Sequence, residues 1–402
     1  MKIILAFLER FVGLSGGIEH VCCNMANEFA HRGHSVSIAY CYGENSRPFY
    51  PLDKDVKLYN LMTLSGKKWR GKHLGENITS KDKIMREMIR VFSKSKGREW
   101  NEAVKARMIV PQIQEIEKKE KPDIIISFRY ETSNYLLNYA KVKTPVITMF
   151  HIDPDNALPA APEGEITAIE KSARAQVLLK GDIDKVRKYC PGANLVWIPN
   201  VVPQYGEQAD LSQKKKNYTI IDVARLNKDQ KRQHLLIQAF NKLAKDFPAW
   251  NVELWGQMDE HNKGYTESLK KMISDFHLED RVFIKGQNNH IIDVYLHSDI
   301  FAFPSAYEGF PLSMTEAMSA GLPIAAYKSC ESAAELIKDG ETGIIVSDGA
   351  EGMAEALKKL MENRDLRVRL GNAARKDMQQ FKAEKIWNQW ENLMQEVIAE
   401  KR

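Results

Sequence analysis

Glu308 and Glu316 stand eight positions apart in Phe303-Pro304-Ser305-Ala306-Tyr307-Glu308-Gly309-Phe310-Pro311-Leu312-Ser313-Met314-Thr315-Glu316-Ala317-Met318. One carboxylate can accept hydrogen bonds from sugar hydroxyls and the other from ribose hydroxyls. Free N–H groups near Leu312 and Ser313, at the start of a helix, would hold a diphosphate between them. The spacing suits a nucleotide sugar lying along the turn. Taken alone, Glu316 also has the look of a solvated first-turn acid that complements the helix dipole.

The elements that position this pair are legible on either side. Asp299-Ile300-Phe301-Ala302-Phe303-Pro304 reads as a buried strand, and the stretch after Pro311 reads as a helix ended by Gly321 and Pro323. Upstream strands are expected at 219–224, 251–256 and 282–286, with a further one at 323–326, separated by helical segments. That alternation predicts a parallel sheet. The amino-terminal half begins in the same way. A strand at 2–8 leads into the loop Gly13-Leu14-Ser15-Gly16-Gly17, a helix over 18–32 and a strand at 36–40. A basic helical stretch over about 82–119 and buried strands at 124–128 and 145–150 follow.

The expected fold class is therefore α/β, with a doubly wound sheet in each of two domains, as a chain of 402 residues is too long for one ordinary core. The expected boundaries are 1–202 for the first domain, an exposed connection at 203–217, a second domain at 218–380 and a terminal helix at 381–402. Five cysteines without a CxxC pair or histidines at metal spacing read as reduced thiols in a cytosolic protein. No signal-peptide layout and no apolar run long enough for a membrane span are present. The net charge of +5 is unevenly placed: residues 61–110 hold thirteen Lys or Arg against five Asp or Glu, which leaves the rest slightly negative. Trp69, Ile84, Met85, Met88, Ile89, Val91, Phe92 and Trp100 are interleaved there. Residues 67–107 fit either a peripheral face toward anionic lipid on the inner side of a membrane or a solvated helix face. No base-reading motif accompanies the charge, which argues against nucleic acid.

At this point the chain resembles the retaining glycosyltransferases of family 4, and the resemblance covers nearly its whole length. It implies the GT-B architecture: two facing Rossmann-like domains with a C-terminal helix crossing back to the first. Val223-Ala224-Arg225-Leu226 and Lys231-Arg232-Gln233-His234 resemble the family's diphosphate motif, with Arg225 and Lys231 as the matching cations. Two cations beside a helix N-terminus can balance a leaving diphosphate without metal, so no metal and no cofactor is expected. By resemblance Glu308 goes to the donor sugar and Glu316 to the ribose. Gly309, Phe310, Leu312 and Ser313 complete the donor turn, and Gln287 lies in the loop that holds the base. Gly16 and Gly17 resemble the glycine turn near the donor phosphate, where the missing Cβ allows close approach. His151 matches a histidine that faces the transferred sugar; a satisfied structural histidine is the alternative. Glu335 reads as a helix-positioning residue. Asn200-Val201-Val202-Pro203 and Leu179-Lys180-Gly181-Asp182 depart from the family's pattern.

The resemblance implies a retaining, metal-independent hexosyltransferase. Its donor would be a UDP-sugar, and its acceptor a saccharide or lipid-linked saccharide in surface polysaccharide or glycolipid synthesis. With no nucleophile evident, front-face transfer is the expected mechanism, the leaving phosphate itself taking the acceptor's proton. The alternatives are a non-catalytic partner subunit, which would have no need of Arg225, Lys231, Glu308 and Glu316 together, and a nucleotide-sugar epimerase, which would need further carboxylates in the first domain.

Overall fold

Lys2-Ile3-Ile4-Leu5-Ala6-Phe7 is apolar at five successive positions, and in the computed structural model all five are buried. The structure describes residues 1–258, 263–288 and 290–401. Apolar runs of this kind, buried on both faces, are what a parallel sheet between helical layers requires. The chain divides into two units, Met1–Pro199 with Trp387–Arg402, and Asn200–Ile386.

The first unit holds β1 (Lys2–Phe7), β2 (Ser35–Tyr40), β3 (Lys57–Asn60), β4 (Ile124–Ser127), β5 (Val146–Met149), β6 (Arg174–Val177) and β7 (Leu195–Trp197) in the order β3-β2-β1-β4-β5-β6-β7, all parallel. The second holds β8 (Tyr218–Val223), β9 (Trp250–Trp255), β10 (Val282–Gly286), β11 (Ile300–Phe303), β12 (Ile324–Tyr327) and β13 (Gly343–Val346) in the order β10-β9-β8-β11-β12-β13, also parallel. In each sheet the first strand has neighbours that lead the chain off in opposite directions. Such switch points leave a crevice beyond the strands' carboxyl ends, where ligands bind in folds of this class. Leu236 and Phe240 of the helix Gln233–Leu243 and Leu357 and Leu360 of the helix Ala350–Glu362 pack on Ile220, Val252 and Ile300 to form the second unit's core.

Three features differ from expectation. The basic stretch is two helices, Ser80–Phe92 and Lys94–Glu120. Ser93 breaks it in extended conformation, its hydroxyl capping the second helix at the Lys96 N–H, and Trp100 Nε1 donates to the Asp82 carbonyl at 3.2 Å, tying the second helix back to the first. Residues 203–217 are exposed at most positions, as expected, but they belong to the second unit and are anchored to it. Ala209 and Leu211 are buried, the Ala209 N–H donates to the Ala320 carbonyl, and Arg375 grips the carbonyls of Tyr205 and Glu207. Finally, β3, β6, β7 and β13 are strands that the sequence pattern did not mark.

The helix Ala383–Lys401 supplies Trp387 and Trp390 to the core, with Trp387 edge-on to Phe29. Its Glu391 accepts from Arg32 and His34, and its Glu396 and Glu400 accept from Arg174 on β6. All five cysteines are buried and unpaired. Among the described residues no helix is long and apolar enough to cross a membrane.

Candidate functional site

In the second unit the carboxyl ends of β8 and β11 carry most of the candidate residues. After β8, Asn227 folds the chain into a turn: its side chain accepts from the N–H groups of Asp229 and Gln230, and its carbonyl from those of Lys231 and Arg232. This turn delivers Lys231 Nζ onto a carboxylate oxygen of Glu308, which stands on the turn after β11. The two side chains are 14% and 11% exposed, so the pair is only weakly screened by water. Gln230 Nε2 donates to the other oxygen of Glu308 at 3.3 Å and to the Tyr307 carbonyl at 3.2 Å, fixing the carboxylate's plane. Arg225 lies on the same loop, exposed, and its guanidinium makes no hydrogen bond or ion pair among the described residues. At the neighbouring loop, a Cβ on Gly256 would stand 2.0 Å from the Ala224 carbonyl oxygen, so the two backbones approach as only glycine permits.

Glu316 projects from the helix Leu312–Ser319, which has no side-chain cap. Tyr295 donates its hydroxyl to Glu316 Oε2 at 3.0 Å. Burial pushes the Glu316 carboxyl up to about 7, the tyrosine bond opposing the shift. The expected amide pair needs one correction. The Leu312 N–H is taken by the Phe310 carbonyl at 2.9 Å and that of Thr315 by Pro311, which leaves the amides of Ser313 and Met314 to meet a ligand. Gly309 and Phe310 are buried, Phe310 edge-on to Phe381. Gln287 is exposed just beyond β10, and Glu335 is exposed on the short helix Glu331–Leu336.

Three residues of this edge escaped the sequence reading. Arg232, in left-handed conformation, donates to the carbonyls of Pro304 and Ser305 and pairs with Asp348 at 2.6 Å, clamping the start of the Glu308 turn. Asp222, buried on β8, accepts from Gln233 at 3.0 Å, and burial raises its carboxyl to about 7. Tyr295 is the third. No local signal marks any of them, since each acts through a partner 11 or more positions away.

In the first unit, Gly16 caps the helix Gly17–His31, and Gly17 is its exposed first residue. A Cβ on Gly16 would fall 2.2 Å from Glu19 Oε2, because that side chain folds back over the turn. His151, half-buried after β5, stacks on Phe128 with ring centroids 5.5 Å apart. Its Nε2 is buried with no partner among the described residues. Burial, helped by the Arg129 cation, lowers the imidazole to about 3. It is therefore a neutral ring with one nitrogen left to bond a ligand. The structure thus joins Lys231 to Glu308 directly and sets Arg225 and Glu316 on the same sheet edge. Gly16, Gly17 and His151 lie on the other sheet.

Residues 206–377 match the family model described as glycosyl transferases group 1. Over 98% of its length the chain is 26% identical to an exopolysaccharide phosphotransferase of Streptomyces coelicolor, though it spans only 41% of that protein. Against an uncharacterized glycosyltransferase of Haemophilus influenzae it is 24% identical, covering 97% of this chain and 99% of the other. Among solved structures, S. aureus TarM in complex with fondaparinux, alpha-GlcNAc-glycerol and UDP superposes with a TM-score of 0.73 at 16% identity, covering 98% of this chain and 99% of that one. The chain thus has the fold of the GT-B glycosyltransferases, and the family match lies within its second unit.

Proposed function

We propose that the protein is a retaining, metal-independent glycosyltransferase that moves a sugar from a UDP-sugar to a saccharide or lipid-linked saccharide in surface polysaccharide or glycolipid assembly. The observation that carries this reading is the Lys231–Glu308 pair beside the exposed Arg225. Arg225 and Lys231 hold the diphosphate, with the amides of Ser313 and Met314 as further donors. Glu308, fixed by Gln230, accepts hydroxyls of the donor sugar. Glu316, oriented by Tyr295, accepts those of the ribose. The backbone around Gln287 takes the base. Gly16, Gly17 and His151 are the first unit's candidates for the transferred sugar.

The acceptor oxygen forms its bond to the anomeric carbon as the bond to the diphosphate oxygen breaks on the same face. The acceptor's proton passes to the departing phosphate. Preset cations stabilise the charge that grows on that oxygen, an effect worth about 3 kcal/mol per well-placed donor in comparable sites. The reading requires no metal or other cofactor.

Residues 67–107 are proposed to rest on an anionic membrane surface. Val91 and Phe92 of the helix Ser80–Phe92 are 81% and 91% exposed, and Ile84 and Met88 more than half exposed, among Lys81, Lys83, Arg86 and Arg90. Flotation with anionic vesicles at low salt should carry the protein upward, and failure to float removes this part. The central reading is tested by incubating the protein with a panel of nucleotide sugars and identifying the nucleotide released. Nucleoside diphosphate from one donor is expected. Nucleoside monophosphate would instead mark transfer of a sugar phosphate, the kind of chemistry named for the S. coelicolor relative.

A further inference from the structure

The first unit contains a cavity of about 470 Å³, a volume suited to a small ligand. It opens where Glu9 follows β1 and Tyr130 and Glu131 follow β4, at the carboxyl side of that sheet's switch point. The two helices Ser80–Phe92 and Lys94–Glu120 form its outer wall and bring Arg86, Arg90, Lys94, Arg98 and Lys105 to one space.

The carboxylates in the wall do not cancel those cations. Glu9 is paired with Arg129 at 2.7 Å, and Glu102 holds Lys105 while accepting from the Tyr135 hydroxyl. Glu165 is 6% exposed, and burial with the nearby Glu131 and Glu102 charges raises it to about 8. Burial raises Glu131 as well, against the pull of Arg129. The Glu165 carboxyl therefore favours the protonated form near neutrality and can donate an O–H. Arg86 and Arg90 share only the exposed Glu87, a surface pairing worth about 0–1 kcal/mol that a ligand easily displaces. Lys94 has no ion pair among the described residues. Asn101 Oδ1, also in the wall, is buried without a hydrogen-bond donor. A buried amide oxygen with no donor costs about 1–3 kcal/mol, which a ligand hydroxyl would recover.

We infer that this cavity binds the phosphate and adjoining hydroxyls of a phosphorylated polyol or sugar, with Arg86, Arg90 and Lys94 on the phosphate and Asn101 and Glu165 on the hydroxyls. This rests on the proposed transferase reading in one respect only, in taking the bound molecule to be the acceptor. The phosphate ester belongs either to a free metabolite or to a lipid headgroup, and the neighbouring exposed stripe of Ile84, Met88 and Val91 fits the second source.

The test is calorimetric titration of the full chain with glycerol 3-phosphate, and sedimentation with phosphatidylcholine vesicles with and without phosphatidic acid. Arg90→Ser/Lys94→Ser is compared with wild type and with Arg225→Ala; Arg90 and Lys94 are exposed, so their removal leaves the core intact. Two lost charge-assisted bonds should weaken binding by about tenfold or more in the double variant, while Arg225→Ala binds as wild type. Binding of the soluble ester marks a free metabolite, and binding only to phosphatidic acid vesicles marks a headgroup. No binding to either, or a loss that follows Arg225→Ala, overturns the inference. Nucleotide release by wild-type protein is measured alongside. Phosphate binding without release sinks the transferase reading and keeps the site; release without phosphate binding does the reverse.

Discussion

Lys231 and Glu308, 77 positions apart in the chain, meet as an ion pair at the carboxyl edge of the second sheet, with Gln230 holding the carboxylate from its other side. Each group proposed for the donor thus neutralises the other before a donor arrives. A diphosphate would draw Lys231 toward itself and release Glu308 to the sugar's hydroxyls. Lys231→Ala is therefore expected to lower kcat by about a hundredfold or more with a smaller change in KM. It should also lower stability by about 2 kcal/mol, since it strands a carboxylate that is mostly out of water. Lys231→Ala/Glu308→Gln should recover part of that stability and none of the activity. Urea unfolding and steady-state nucleotide release check both halves, and near-normal turnover in Lys231→Ala would refute the assignment.

Glu316 offers a test in which stability and binding move in opposite directions. Its folded carboxyl sits at about 7 against an ordinary 4.5. The folded state thus holds a proton that the unfolded state gives up, and stability attributable to this group falls as pH rises from about 4.5 to about 7. Glu316→Gln keeps a neutral side chain at every pH. It should match wild type in acid and be the more stable protein at about pH 8. UDP should bind it more weakly, because an amide replaces the carboxylate that accepts ribose hydroxyls. Thermal unfolding across pH and UDP titration are the two measurements; an unchanged UDP affinity would remove Glu316 from the ribose.

The turn carrying Glu308 and Glu316 could be read in the sequence because its signals are local: an apolar strand, Pro311, then a helical run. The amides were misjudged at one position because the Phe310 carbonyl turns back onto Leu312, a detail of turn geometry rather than of residue type. Arg232, Asp222 and Tyr295 left no trace, as their roles exist only once distant strands are side by side. The same holds for β6. Arg174-Ala175-Gln176-Val177 looks too polar for an interior strand until Glu396 and Glu400 neutralise Arg174 and Gln176 finds backbone carbonyls. Residues 203–217 show the converse. Their composition is that of a solvated connection, yet two apolar side chains, Ala209 and Leu211, are enough to lay the segment on the second unit.

The helix Ala383–Lys401 is expected to matter through burial more than charge. Trp390 is 2% exposed, and Trp390→Ala should cost about 3–5 kcal/mol by emptying its place in the first unit's core. Glu391→Ala leaves Arg32 bonded to Glu28 and should cost only about 1 kcal/mol. Chemical denaturation of the two variants checks the order, and a larger effect from Glu391→Ala would contradict it.

His151 is the remaining candidate for direct contact with the transferred sugar, and its electrostatics restrict what it can do. A group lowered to about 3 by burial and by Arg129 is neutral at any pH at which the protein works. A histidine that needed to exchange protons would be held near neutrality instead. The imidazole is therefore expected to donate or accept one fixed hydrogen bond through Nε2 and never to act as the base. Two outcomes follow. The ring resonances of His151 should not titrate between about pH 5 and pH 8. His151→Asn, which keeps one donor and one acceptor, should retain more activity than His151→Ala, and neither variant should remove an acidic limb from the pH profile of kcat. A limb lost in both variants, together with a titrating His151 ring, would transfer the acceptor's proton from the leaving phosphate to this side chain.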